Sequence, residues 1–175
     1  IRDLRTMIGL PSLEKETAEI IKLLETREQD HVNWIYELTR SVNEGRRFTL
    51  ARDPHLCAFG KWYDGIMADE QQLNRLTNAN LTLHLLIGQL ETPHTAIHAI
   101  ADAVSDLVQE GDTSGAHDLI ESVRHHTLNT MVSLLRQIRD LLHTLRKPLI
   151  VVVECSGNQL GIQVDSVDCV VRISS

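Results

Sequence analysis

Three histidines and one cysteine, far apart in the sequence, sit where apolar helical stripes or a helix start turn them inward. They are His31, Cys57 in the run Cys57-Ala-Phe-Gly-Lys-Trp-Tyr63, and the pair in His94-Thr-Ala-Ile-His98. Two histidines four residues apart on a helix share one side and can chelate a single ion. One thiol and three imidazoles are a donor set with which Zn(II) fills a tetrahedral shell, so the residues read as a buried Cys/His3 zinc site: His31, Cys57, His94 and His98. No short-range zinc-finger spacing covers separations this long, and the alternative is a core cysteine with partly buried histidines. Either way the fold is constrained, because burying a polar ring without a partner costs roughly 2–7 kcal/mol on transfer scales.

The stripes themselves are helical. From Ser12, a capping residue followed by Glu14 and Glu16 at the positive end of the helix dipole, apolar residues recur at Ile20, Leu24, Ile35, Leu38 and Val42, with His31 on the same side. Asn43-Glu44-Gly45 should close this helix with a left-handed glycine. Asp53-Pro54 then opens a short helix carrying Cys57, whose place near the positive helix end should lower the thiol pKa. Gly60 leaves room for a close neighbour, while Trp62 and Tyr63 read as packing that shields the site. A third helix follows from Leu73, Leu76, Asn80, Leu83, Ile87 and Leu90, the three-four spacing of a bundle seam. Thr92 should cap and Pro93 open a fourth, with His94, Ile97, His98, Ala101, Val104 and Val108 on one face, broken at Gly111-Asp112. A last long helix is expected from about Ser114 to Leu145, with Ala116, Leu119, Val123, Met131, Leu134, Ile138, Leu141 and Leu145 inward. His55, His84, His117, His125, His126 and His143 read as surface or packing residues.

At Lys147-Pro148 the period becomes strand-like: Leu149 to Val153 is compact and β-branched, Ser156-Gly157-Asn158 is turn chemistry, and Leu160, Ile162 and Val164 alternate with polar neighbours. Asp165 to Ile173 continues extended. Two strands bury no core alone, so another must pair with this hairpin. The fold class expected is mainly α, an antiparallel bundle of four long helices plus one short Cys-bearing helix, with flanking β-strands.

A net charge of −7, with 24 acidic against 17 basic residues, argues against a nucleic-acid partner. The longest apolar run, Leu149 to Val153, is far below the roughly 20 residues of a membrane span, and a cytoplasmic location is expected. Three dispersed cysteines make no disulfide framework, and Cys155 and Cys169 read as inert core thiols. Beginning at Ile1, the chain is expected to be part of a longer one.

Two resemblances sharpen this. His31-Val-Asn-Trp34, the Cys57-Ala-Phe-Gly-Lys-Trp62 block and Pro93-His94 with His98 resemble the chemoreceptor zinc-binding family over about residues 20–145. That resemblance implies a helical bundle holding one zinc through His31, Cys57, His94 and His98, used to sense zinc or oxidants, attached to signalling modules, and homodimeric. Pro148 to Glu154 with Leu160-Gly-Ile-Gln-Val-Asp165-Ser-Val167 is similar to the CheW-like adaptor domain of bacterial chemotaxis, as is the opening Asp3-Leu-Arg5 with Gly9-Leu-Pro11. This implies a zinc-binding bundle (12–146) inserted between two pieces of a CheW-like barrel (1–11 and 147–175), through which a chemotaxis histidine kinase and chemoreceptors would be contacted.

A filled zinc shell leaves no position for an activated water, so no enzyme is expected; a zincin would also need Glu where Thr95 stands. The expected function is a zinc- or redox-responsive sensory domain in which Cys57 oxidation or zinc loss shifts the segment from Gly45 to Gly65. The rivals are zinc as a passive staple of a dimerisation or spacing element, and a hemerythrin-like di-iron bundle. The latter wants a carboxylate four residues after a histidine, where His31 is followed by Ile35.

Overall fold

The computed structural model describes residues 2–3, 13–77, 80–145, 149–155 and 157–164. Two compact units emerge, residues 23–141 and residues 1–22 with 142–175. The helices are α1 (Leu13–Asn43), α2 (Ala58–Ala68), α3 (Glu70–Thr77), α4 (Leu81–Gly88), α5 (Glu91–Gln109), α6 (Thr113–Val123) and α7 (Asn129–Leu145). A 3-10 turn, Pro54–Leu56, precedes α2, and a π turn, Arg124–Leu128, joins α6 to α7.

In the unit 23–141, α1 buries Leu24, His31, Trp34, Ile35, Leu38 and Val42, an alternating three-four stripe that continues across the histidine without a break. It ends at Gly45, whose φ of 60° is the left-handed cap expected there, with the Arg46 N–H returned to the Ser41 carbonyl at 3.0 Å. The single long helix expected over Leu73 to Leu90 is instead two short ones. The Asn80 side chain accepts from the Leu83 N–H at 2.9 Å and so caps α4, because a short amide competes for backbone donors that a helix interior would use. Leu73, Leu76, Leu83, Ile87 and Leu90 are buried as expected.

Thr92 is not a cap: α5 begins a residue earlier, and its N-cap position, Leu90, has helical backbone and no side-chain cap. In the last helical stretch the buried residues are Ala116 and Ile120, then Leu128, Met131, Leu134, Leu135, Ile138 and Leu142, while Leu119, Val123 and Leu141 are only half-buried. The π turn inserts a wider repeat between the two apolar stripes, which a uniform 3.6-residue period does not anticipate. Arg139 bridges to Glu28 at 2.7 Å, tying α7 to α1.

In the other unit, β1 (Arg2–Asp3), β2 (Leu149–Cys155) and β3 (Asn158–Val164) form a sheet in the order β1-β3-β2. The hairpin pairs Leu149 with Val164 through Cys155 with Asn158, and β1 supplies the third strand, parallel to β3, with Arg2 opposite Ile162. Ile150, Val151, Val152 and Val153 are all exposed, so β2 is apolar on both faces. The Ser12 cap, the Ile8 to Pro11 piece, the Lys147-Pro148 switch point and the Asp165 to Ile173 extension with Cys169 lie outside the described residues, as does the Cys155 side chain.

Candidate metal centre

Each of the four residues is positioned by a different local device. His31 stands on the buried stripe of α1, and its Nδ1–H donates to the Arg27 carbonyl one turn earlier at 2.7 Å. Cys57 is the N-cap of α2: with φ −73° and ψ 163° it stands outside the helix, and its sulfur accepts from the Gly60 N–H at 3.2 Å. Asp53 and Pro54 open the 3-10 turn rather than the Cys-bearing helix itself, and the Asp53 carboxylate accepts from the His55 N–H at 2.9 Å. The glycine matters because a Cβ on Gly60 would lie 1.9 Å from the Pro54 carbonyl oxygen. His94 and His98 share the inner face of α5, and the Nδ1–H of His98 donates to the Ala51 carbonyl in the loop between α1 and the 3-10 turn, at 3.0 Å.

The four converge. One ligand atom from each of His31, Cys57, His94 and His98 lies within 4.8 Å of the others, and Cys57 Sγ is 3.2 Å from His94 Nε2. The three histidines are only 3%, 4% and 1% exposed. Nevertheless His31 Nε2 and His98 Nε2 have no hydrogen-bond partner. Their Nδ1 protons are spent on carbonyls, so each leaves an unprotonated Nε2 lone pair directed into the cluster. This is how metal-ligating histidines are commonly held, the outer nitrogen fixing the tautomer and the inner one free to coordinate. A buried acceptor without a donor costs about 1–3 kcal/mol, so two together call for a cation. The donor set of three neutral imidazoles and one thiol fits zinc in number and chemical type.

The electrostatics agree. Burial, and then the neighbouring rings, push His94 down to about 3; burial, then His31, pushes His98 down to about 4 against the raising effect of the Ala51 carbonyl. Burial lowers His31 too. All three are therefore neutral near pH 7, the form that binds metal. The thiol departs from expectation: burial raises the Cys57 pKa, outweighing the lowering by the Gly60 and Phe59 N–H groups at the helix start. A thiolate there needs a cation beside it.

Aromatic packing closes the site. Phe59, fully buried, meets His94 edge-on at 4.6 Å and His31 at 5.6 Å, and stacks on Tyr63 at 5.6 Å. The Tyr63 hydroxyl donates to the Gly88 carbonyl at 3.3 Å, and Trp62 lies half-buried against Phe59, so the pair packs as expected. A cavity of about 350 Å³ bordered by Asp30, Trp34, Leu50 and Phe59 reaches Cys57, His31 and His98 from one side. None of the other six histidines is buried; His55 pairs with Asp64 at 2.9 Å. Trp34, quoted in the sequence without a role, and the Ala51 and Arg27 carbonyls are the functional neighbours that residue types alone did not disclose.

What the fold and site define is a helical unit with a closed three-histidine, one-cysteine cluster of metal-ligating type. The family model described as the chemoreceptor zinc-binding domain matches residues 31–105, a segment that starts at His31 and holds all four clustered side chains. Neither the curated proteins nor the solved structures yield a match to the chain. Among the described residues no helix is long and apolar enough to cross a membrane.

Proposed function

We propose that residues 31–105 form a zinc-binding sensory domain of chemotaxis-type signalling, with His31, Cys57, His94 and His98 as the ligands of one Zn(II). The observation that carries this reading is the pair of buried, unpartnered Nε2 atoms beside a thiol and a third ring nitrogen, all within 4.8 Å of one another. Four protein donors complete a structural zinc shell, so the domain binds rather than catalyses. The ligands come from α1, the start of α2 and α5, three segments far apart in sequence, and holding them together stabilises the fold around the site.

Cys57 is the oxidisable member. A peroxide or hypochlorite transfers oxygen to its sulfur, which becomes a sulfenic acid as the oxidant is reduced to water or chloride, and the product is a poorer donor. The cavity reaching Cys57 supports access of such small molecules. Loss of the donor would release the start of α2 and the segment from Gly45 to Gly65. The flanking strands belong, in this reading, to a CheW-like adaptor that contacts a chemotaxis histidine kinase and chemoreceptors in the cytoplasm, the protein acting as a homodimer. Support comes from the pairing of β1 with β3, which brings the two flanks into one sheet, and from the apolar residues on both faces of β2, the pattern of a strand that further structure covers.

Mass spectrometry after mild hypochlorite or peroxide treatment tests the sensory half. Oxidation confined to Cys57 with release of zinc is expected; an unmodified Cys57 with zinc still bound would leave zinc as a staple, a reading that the near-complete burial of the three rings also favours.

A further inference from the structure

Between the Arg46 N–H, returned to the Ser41 carbonyl, and the Asp53 carbonyl, which accepts from the Leu56 N–H, residues Arg47 to Arg52 form neither helix nor strand. Side chains hold this loop instead. Trp34 of α1 grips it twice: its ring meets Phe48 edge-on at 4.9 Å, and its indole N–H donates to the Ala51 carbonyl at 2.8 Å. The same carbonyl oxygen accepts the Nδ1–H of His98, and the indole lies 5.0 Å from that ring. His31 differs, because its acceptor, the Arg27 carbonyl, belongs to α1 itself and is placed by the helix.

The geometry points to Trp34 as the positioning residue of the metal centre: through the Ala51 carbonyl it fixes the tautomer and orientation of His98. The inference rests on the zinc reading above. A carbonyl oxygen has two lone pairs, and here both are used, one by a buried indole that has only this donor and one by the ring whose Nε2 faces the cluster. With the indole N–H removed, the Ala51 oxygen keeps His98 as its one side-chain donor, and the ring's acceptor is less firmly placed. Arg52 of the same loop pairs with Asp102 of α5, but in an exposed ion pair that contributes little.

The test is zinc affinity of the full chain by competition with a chromophoric chelator, for wild type, Trp34→Phe and Arg52→Ala. Phenylalanine keeps an aromatic ring between Phe48 and His98 and removes the donor together with part of the indole's volume. Trp34→Phe should bind zinc about 10–100-fold more weakly, the usual cost of losing such an outer partner, and Arg52→Ala like wild type. Nitrogen NMR of the metal-free variant should show His98 no longer held as a single Nδ1–H form, as it is in metal-free wild type, which a purely structural role would not change. Trp34→Phe binding as tightly as wild type overturns the proposal and leaves the four ligands standing; a wild type that takes up no zinc overturns both. Should Trp34→Phe not fold, hydrogen exchange of the Trp34 indole N–H in wild type decides: zinc should slow it, because coupling through Ala51 is reciprocal, and an unchanged rate overturns the proposal.

Discussion

Substituting Gly60 by alanine would strike the metal centre without touching a ligand. The added Cβ would lie 1.9 Å from the Pro54 carbonyl oxygen and 2.9 Å from its carbon, where ordinary contact begins at 3.4 Å. The obstacle is backbone, so the 3-10 turn and the start of α2 must part by about 1.5 Å, an overpacking strain of roughly 1–3 kcal/mol. Cys57 sits between the two as the cap of α2, 3.2 Å from His94 Nε2. A zinc–sulfur bond of about 2.3 Å tolerates deviations of only about 0.2 Å, so the strain falls on metal binding. Gly60→Ala should weaken zinc about 5- to 150-fold, the equivalent of that strain, by chelator competition. Gly65→Ala is the control: it lies within α2 with nothing within 4 Å of its Cβ, and should raise the melting temperature through about 0.5–1 kcal/mol of added stability. Gly60→Ala with wild-type zinc affinity and melting would refute the reasoning.

Phe59→Ala removes a fully buried ring that touches His94, His31 and Tyr63, and should cost about 3–5 kcal/mol in denaturant unfolding of the metal-free protein; a loss below about 1 kcal/mol would deny Phe59 its place in the core. Acidification of chelator-treated protein should lower its melting temperature. Its buried rings titrate below the unfolded value of 6.5, so the unfolded chain binds more protons, and stability present above about pH 6.5 is lost as pH falls toward about 4 and 3, where His98 and His94 titrate. A melting temperature that is flat or rises between pH 7 and 4 would contradict this. His31→Gln keeps a polar side chain but removes the ring nitrogen that faces the cluster, and should abolish tight zinc binding while leaving helix content by circular dichroism near that of the metal-free protein; undiminished zinc affinity would remove His31 from the ligand set.

Much of the centre was legible because its logic is local. A histidine on an apolar helical stripe, a His-x-x-x-His pair and a cysteine near a helix start each carry their own geometric meaning, and the structure brings all four side chains together. The helix breaks were harder. Asn80 looked like a seam position because its spacing fitted, yet its side chain prefers to cap, and the choice depends on packing that periodicity does not encode. Around the π turn at Arg124–Leu128, Ile120 and Leu142 are buried where Leu119 and Leu141 were expected, for the same reason, while Ile138 is buried as expected. The helix start lowers the Cys57 thiol pKa as its position implies, but the burial that outweighs it comes from packing that the sequence does not display. Ala51 was invisible because its contribution is a backbone oxygen, which any residue there could offer.

Metal analysis of the purified chain beside Cys57→Ser and His98→Ala tests the central claim most directly. One zinc per wild-type chain, lost from both variants with partial unfolding, is the expected result. Zinc retained in both, or absent from the wild type grown with zinc in excess, would mean that His31, Cys57, His94 and His98 do not share an ion.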